Sequence, residues 1–271
     1  PCIAVAAETS NDNMFQITPS GSAVECVAPD NVFRVCFADP DQGTASAVYI
    51  GENKLATKIA VIYDSSTTYS SGIREAFVKE AANQGLEVVA DEAFTADNAT
   101  DFSVQLDKAK EAGAELVFLP IYYQEASVIL KQASDKDFAP IFFGCDGMDG
   151  ILTVENFDTA LAEGLMLLTP FSTTEESSKS FTEAYVAAYG IEPNQFAADS
   201  YDAVYAIKAA LEKSGVAADA DYSAVCDAFK TAMTEITIDG LTGEGMTWNA
   251  AGEPDKAPKA VKIVNGVYEM Q

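Results

Sequence analysis

The chain has 271 residues, of which 48% are hydrophobic and 21% are charged, so we expect a folded protein of one large or two medium-sized domains. Its 42 acidic residues outnumber 16 basic ones, and the formal net charge of −26 excludes nucleic-acid binding and disfavours contact with anionic membrane surfaces. The sequence contains no histidine, which excludes Ser-His-Asp and Cys-His catalysis and histidine-dependent zinc sites.

From Lys58 onward, short apolar runs alternate with amphipathic segments whose apolar residues recur every three or four positions. In chain order, the pattern predicts a strand at 59–63, a helix built on Ile73 and Phe77, a strand at 86–89, a helix built on Phe102 and Leu106, a strand at 116–119, a helix built on Ala126 and Ile129, and a strand at 141–143. Repeated strand–helix–strand units indicate right-handed crossovers and a parallel sheet with helices on both faces.

Helices dominate the next part of the chain. They are predicted at 174–189, 196–213 and 222–233, and Val204, Ile207 and Leu211 form the apolar stripe of the second. The chain closes with two apolar runs on either side of Asn265-Gly266, a pair that indicates a two-residue β-hairpin.

Three loop-like segments interrupt this pattern and are the predicted boundaries or hinges. They lie at residues 38–43, 170–178 and 249–258. Each is rich in turn-forming or polar residues, which is typical of chain segments that connect domains.

Polar segments follow three of the predicted parallel strands. They are DSSTTYSSG (64–72), PIYYQE (120–125) and GCDGMDG (144–150). Because open parallel sheets bind ligands at the carboxyl ends of their strands, we expect Tyr69, Tyr122, Tyr123 and Asp146 to converge there. A carboxylate beside tyrosine rings suits an ammonium group, through charge-assisted hydrogen bonds of about 1.5–3 kcal/mol each and cation–π attraction. Ordinary packing and turn chemistry are the alternatives for each residue.

The five cysteines include no Cys-x-x-Cys pair, so zinc ribbons and thioredoxin-like redox sites are not expected. We predict no metal ion and no cofactor. Cys26 and Cys36 are close in sequence, and both a disulfide and buried thiols are open interpretations for them.

Sequence blocks distributed over the whole chain form a recognisable series. They are FQITPSGSAVE (15–25), NVFRVCFADPDQG (31–43), KIAVIYDSSTTYSSG (58–72), DFSVQLDKAK (101–110), VFLPIYYQEASVILKQA (117–133), FFGCDGMDG (142–150), AEGLMLL (162–168), AADSYDAVYAIKAAL (197–211) and GLTGEGMTWNAAGEP (240–254). In this order, they resemble the substrate-binding proteins of branched-chain amino acid ABC transporters.

The resemblance implies an α/β, two-lobed type I periplasmic binding protein fold, with parallel sheets flanked by helices and a ligand cleft between hinged lobes. The first lobe is expected to comprise residues 1–38 and 170–255, and the second residues 39–169 and 256–271. The family has further strands and helices ahead of the segment that begins at Phe15, so the first lobe is expected to be incomplete in this sequence.

The resemblance also implies which residues bind the ligand. Ser20 and Ser22 match positions that hold the α-carboxylate and the ammonium of an amino acid. Tyr69 and Tyr122 match the family's tyrosines in the loops that follow two strands of the second lobe. Asp146 matches the acid that pairs with the α-ammonium, where leucine-type members often have glutamate.

The function implied is that of a non-enzymatic solute-binding protein, secreted with a signal peptide, that captures a branched-chain or related amino acid and delivers it to an ABC transporter permease. It is expected to be extracytoplasmic, either periplasmic or a cell-surface lipoprotein, and to meet the membrane only through a lipid anchor or the permease. One alternative is the ligand-binding sensor domain of a receptor. Another is an extracytoplasmic enzyme that uses paired carboxylates such as Asp39/Asp41 or Glu175/Glu176.

Overall fold

The computed structural model describes all 271 residues, Pro1–Gln271. Contacts between Cα atoms divide the chain into two compact units. Unit 1 comprises Pro1–Ala38 and Glu175–Ala257, and unit 2 comprises Asp39–Thr174 and Pro258–Gln271. None of the helices combines the length and the hydrophobicity that crossing a membrane requires.

Eight α-helices and eleven strands form the chain. The helices are α1 (Cys2–Asn11), α2 (Asp39–Glu52), α3 (Thr68–Ala81), α4 (Ser103–Glu111), α5 (Tyr123–Asp135), α6 (Lys179–Tyr189), α7 (Gln195–Ser214) and α8 (Tyr222–Met233). The strands are β1 (Gln16–Thr18), β2 (Val32–Arg34), β3 (Lys58–Asp64), β4 (Glu87–Phe94), β5 (Leu116–Leu119), β6 (Ile141–Gly144), β7 (Met166–Thr169), β8 (Thr247–Trp248), β9 (Pro254–Asp255), β10 (Lys259–Val264) and β11 (Val267–Met270).

Unit 2 is built on a seven-stranded sheet with the strand order β11-β10-β7-β6-β5-β3-β4. Strands β3 to β7 pair in parallel, whereas β10 pairs antiparallel with both β7 and β11. Strands β3 to β6 alternate with helices along the chain, as the sequence pattern predicts. The predicted α/β class is therefore confirmed.

Both faces of this sheet are buried, which explains the continuous apolar runs of its strands. In β3, Ala60 and Ile62 lie in one core cluster with residues of α4 and α5. Ile59 and Val61 lie in a second cluster with residues of α2 and α3. Successive side chains of a strand point to opposite faces, so each face of the sheet has its own pair of covering helices.

The hairpin predicted at Asn265-Gly266 joins β10 and β11. Both residues have a positive φ, 53° for Asn265 and 76° for Gly266, as a type I′ turn requires. The register pairs Val264 with Val267, so the turn contains only these two residues. This prediction is confirmed.

The structure predicted for one boundary segment is wrong. Residues 38–43 were expected to form a loop, but α2 begins at Asp39 and continues to Glu52. Acidic residues in the first turn, here Asp39 and Asp41, interact favourably with the helix dipole, and proline at Pro40 has a φ suited to a helix start. The same residue types therefore begin a helix here.

The predicted apolar stripe of α7 is also wrong. Val204 and Leu211 are exposed by 63% and 49%, and Ile207 is exposed as well. Instead Ala206 and Ala210 are buried in the core of unit 1, in a cluster that includes residues of α8. Alanine stripes let two helices approach closely, and periodicity alone cannot distinguish such a stripe from an aliphatic one.

Candidate functional site

Three loops of unit 2 leave the carboxyl ends of neighbouring parallel strands. β3 is followed by α3, whose first turn contains Tyr69 and is capped by the Thr67 side chain, which accepts from the backbone N–H of Ser70. β5 is followed by Tyr122, the residue that precedes α5, and β6 is followed by Asp146 in a 3-10 turn. Parallel strands place these loops along a single edge of the sheet.

The structure brings Tyr69, Tyr122 and Asp146 together, and we call them the tyrosine–aspartate group. The Tyr69 hydroxyl donates to Oδ1 of Asp146 at 2.6 Å and accepts from the backbone N–H of Gly147 at 2.9 Å. The rings of Tyr69 and Tyr122 stack with their centroids 4.7 Å apart. Asp146 is only 5% exposed, whereas Tyr122 is 44% exposed, so one ring of the group faces solvent.

Glycine at position 147 makes this arrangement possible. A Cβ added to Gly147 would lie 2.5 Å from the Tyr69 hydroxyl oxygen and 3.0 Å from the carbonyl oxygen of Ile121. Any side chain there would push the Tyr69 hydroxyl away from Asp146. Gly147 therefore makes room for the hydrogen bond between Tyr69 and Asp146.

Both tyrosines of the group stay protonated at neutral pH. Burial, and next the negative charge of Asp146, raise the pKa of Tyr69 well above its usual value. Burial, followed by the charges of Asp146 and Asp39, raises the pKa of Tyr122 to about 12. Tyr69 is therefore a neutral donor to the Asp146 carboxyl group over the physiological range, and neither ring contributes negative charge.

Two residues near the group were not identified from the sequence. The Gln42 side-chain Oε1 accepts from the backbone N–H of Asp146 at 3.2 Å, and Gln42 is 4% exposed. Asp39 is also buried, and its charge contributes to the raised pKa of Tyr122. Both lie on the first turn of α2, in the segment that was expected to be a loop, so the available signal was the helix start at Asp39-Pro40.

Tyr123 does not join the group. It is the first residue of α5 and packs against the core cluster on the opposite face of the sheet from Tyr69. A Cβ added to Gly150 would lie 3.3 Å from the Tyr123 ring. The expectation that Tyr123 converges with the other residues is therefore wrong, because consecutive residues at a helix start point in different directions.

Cys145 precedes Asp146 and is completely buried. Its Sγ lies 3.8 Å from Oγ of Ser46. Burial, and next the charge of Asp146, raise the pKa of the Cys145 thiol well above its usual value. Because the thiolate is the reactive form, this cysteine is chemically protected in the folded protein.

We expect iodoacetamide at pH 8 to modify the partly exposed Cys2 of the native protein and to leave Cys145 unmodified until the protein is unfolded in urea. Peptide mass spectrometry after timed quenching measures both rates. Denatured protein is the control, because Cys2 and Cys145 must then react at similar rates. Modification of native Cys145 as fast as Cys2 would contradict the burial and the raised pKa described above.

Ser20 and Ser22 lie in unit 1, in the loop between β1 and a 3-10 turn at Val24–Val27. Ser22 is 8% exposed and Ser20 is exposed. The backbone N–H of Gly21 between them donates to Oγ1 of Thr18 at 2.9 Å, which tightens the loop. The ligand-binding roles assigned to both serines stay predictions, as do those of Tyr69, Tyr122 and Asp146.

No group of three or more His, Cys, Asp or Glu side chains is arranged to hold a metal ion. Cys26 and Cys36 are both buried in unit 1.

Comparison with protein families gives a match over nearly the whole chain. The model of the periplasmic binding protein family matches residues 2–266. The chain belongs to this family. The Leu/Ile/Val-binding protein homolog 3 of Brucella melitensis is 30% identical to this chain over 217 residues. The alignment covers 79% of this chain and 58% of the Brucella protein. The chain therefore spans less than two thirds of that relative's length.

Solved structures agree with this assignment. The leucine-binding protein LivK of Thermotoga maritima is 25% identical, with a TM-score of 0.86 over 100% of this chain and 75% of LivK. LivJ of Streptococcus pneumoniae, a branched-chain amino acid transporter substrate-binding protein solved with isoleucine, is 27% identical, with a TM-score of 0.86 over 98% of this chain and 74% of LivJ. The resemblance drawn from the sequence blocks and the predicted periplasmic binding fold are thus confirmed.

Proposed function

We propose that the complete protein is a non-enzymatic solute-binding protein that captures a branched-chain or related amino acid and delivers it to an ABC importer. The observation on which this rests is the buried Asp146 carboxyl group, which accepts a hydrogen bond from Tyr69 at the carboxyl edge of the parallel sheet. LivJ, a relative of the same fold, was solved with isoleucine, which supports an amino acid as the ligand.

The chemistry of the tyrosine–aspartate group suits the α-ammonium of an amino acid. A carboxylate has about four lone-pair sites for hydrogen bonds, so the bond from Tyr69 leaves Asp146 able to accept from an ammonium as well. The half-exposed ring of Tyr122 offers an apolar wall and a cation–π surface for the same charge. Because both phenols stay neutral, the group attracts cations through one carboxylate.

In this proposal the protein works outside the cytoplasm, in the periplasm or as a cell-surface lipoprotein, and its protein partner is the permease. The family to which the chain belongs is named for periplasmic proteins, which supports the location. A lipid anchor and the permease are the two proposed connections to the membrane. Ser20 and Ser22 are proposed to hold the α-carboxylate and the ammonium of the ligand, and no covalent bond is made or broken in the cycle.

A thermal-shift panel of the standard amino acids, carried out on the complete gene product, tests the proposal. A ligand at a hundred times its dissociation constant stabilises the native state by about 2.7 kcal/mol. This stabilisation produces a readily measured rise in Tm. We expect leucine, isoleucine or valine to raise Tm and glutamate and lysine to have no effect. A panel in which no amino acid raises Tm would overturn the proposed function.

A further inference from the structure

Arg34 is a fully buried arginine at the end of β2 in unit 1, and one of only two arginines in the chain. Its Nη1 donates to the carbonyl oxygens of Gly21 at 3.0 Å and Ser22 at 2.5 Å. Its Nη2 donates to Oε1 of Glu253 at 3.0 Å, and its Nε lies 2.9 Å from Oε2 of the same carboxylate. The guanidinium group thus connects the loop that contains Ser20 and Ser22 to Glu253.

The backbone of Arg34 is held as firmly as its side chain. Its N–H donates to the carbonyl oxygen of Gly252 at 2.9 Å, and its carbonyl oxygen accepts from Nε1 of Trp248 at 2.7 Å. Burying a guanidinium group costs several kcal/mol unless an opposite charge and hydrogen bonds compensate. Glu253 supplies the charge, and the carbonyl groups of the loop supply further hydrogen-bond acceptors.

The two bonds to the loop also fix the direction of its N–H groups. The chain contains no cis peptide bond, and in a planar trans peptide the C=O and the N–H of the next residue point in opposite directions. Since the carbonyl groups of Gly21 and Ser22 point at Arg34, the N–H groups of Ser22 and Ala23 point away from it. Neither N–H donates a hydrogen bond to another group of the protein.

Two neighbouring backbone N–H groups without a partner in the protein can both donate hydrogen bonds to an anion. The hydroxyl of Ser22 belongs to the same turn of chain. We infer that Arg34 is a positioning residue that aims the Ser22 and Ala23 N–H groups at the carboxylate of the ligand. This inference rests on the proposed function, because it takes the amino acid's carboxylate to be the anion.

A purely structural arginine and a positioning arginine differ in one measurable respect. If Arg34 only stabilises unit 1, its replacement must weaken all ligands to the same extent. If it orients the loop for a carboxylate, the loss must depend on the presence of that carboxylate. The carboxamide of the same amino acid keeps the ammonium and the side chain but has no negative charge, so it separates the two roles.

The experiment is calorimetry on the complete protein with the amino acid that binds most tightly in the thermal-shift panel and with its carboxamide (for leucine, leucinamide). Arg34→Lys keeps a positive charge but cannot reach two carbonyl groups and Glu253 together. We expect its affinity for the amino acid to fall by about tenfold or more and its affinity for the carboxamide to change by less than about threefold.

Two further variants complete the test. Glu253→Gln leaves Arg34 in place and removes its charge partner, so we expect a smaller loss with the same dependence on the carboxylate; this variant decides the question if Arg34→Lys does not fold. Arg74→Lys is the matched control, because Arg74 pairs with Asp91 on the surface of unit 2, and it must bind both ligands as the unsubstituted protein does.

Equal losses for the amino acid and its carboxamide in the folded variants would overturn the role of Arg34 and leave the proposed function standing. If the unsubstituted protein binds no amino acid, the proposed function itself fails, and this result is distinguishable because it appears before any substitution is made.

Discussion

Replacing Asp146 with asparagine is expected to weaken amino-acid binding by about tenfold or more, since hydrogen bonds to charged groups contribute about 1.5–3 kcal/mol and 1.4 kcal/mol corresponds to a factor of ten. Asparagine has nearly the same shape, and its side-chain oxygen can still accept from the Tyr69 hydroxyl. The substitution therefore removes the negative charge while leaving the packing of Tyr69 against Tyr122 in place.

Asp149→Asn is the control for this substitution. Asp149 is a buried aspartate three residues further along the same turn, and its charge contributes, after burial, to the raised pKa of Tyr268. Tyr268 packs in the core on the other face of the sheet from Tyr69. In calorimetry, we expect the affinity of Asp149→Asn for the amino acid to lie within about threefold of the affinity of the unsubstituted protein. An unchanged affinity in Asp146→Asn would exclude Asp146 as the ammonium-binding group.

Replacing Gly43 with alanine is expected to lower the free energy of unfolding of the protein by about 1–3 kcal/mol, the usual range for overpacking a close contact. A Cβ at Gly43 on α2 would lie 2.2 Å from the carbonyl oxygen of Ile73 and 2.8 Å from the backbone nitrogen of Phe77, both on α3. Because these are backbone atoms, the two helices would have to separate, and both cover the same face of the sheet.

Gly72→Ala makes the same change inside α3 and is the control. Its Cβ would lie 3.4 Å from the Cβ of Asp39, which is an ordinary van der Waals contact. Alanine is also favoured over glycine inside a helix by about 1 kcal/mol, so we expect this variant to be as stable as the unsubstituted protein or more so. Urea unfolding, monitored by far-ultraviolet circular dichroism, measures the free energy of unfolding of both variants. Equal stability of the two variants would contradict the close packing of α2 on α3.

Local sequence patterns were sufficient to predict β3 to β6 and the final hairpin of unit 2, whereas β7 was not predicted. β5 coincides with the predicted strand at 116–119, because a short apolar run that is buried on both faces has few alternatives. The tyrosine–aspartate group was predictable for a topological reason. Parallel strands end at a common edge, so Tyr69, Tyr122 and Asp146 were expected to be close although they are far apart in sequence.

Two other features that the sequence did not reveal depend on how helices pack. Gln42 reaches Asp146 only because α2 begins at Asp39 and lies against α3. On α7, tight packing buries Ala206 and Ala210 and leaves the larger aliphatic residues outside. Such choices depend on the distance between two helices, which no periodicity in one segment encodes.

The most direct test of the account is whether Asp146 recognises the ammonium group of the ligand. Calorimetry with leucine and with its 2-hydroxy acid, which has the same carboxylate and side chain but no ammonium, measures this recognition in the unsubstituted protein and in Asp146→Asn. We expect the unsubstituted protein to prefer leucine by about tenfold or more and the variant to lose most of that preference. An equal preference for leucine in both proteins would contradict the account.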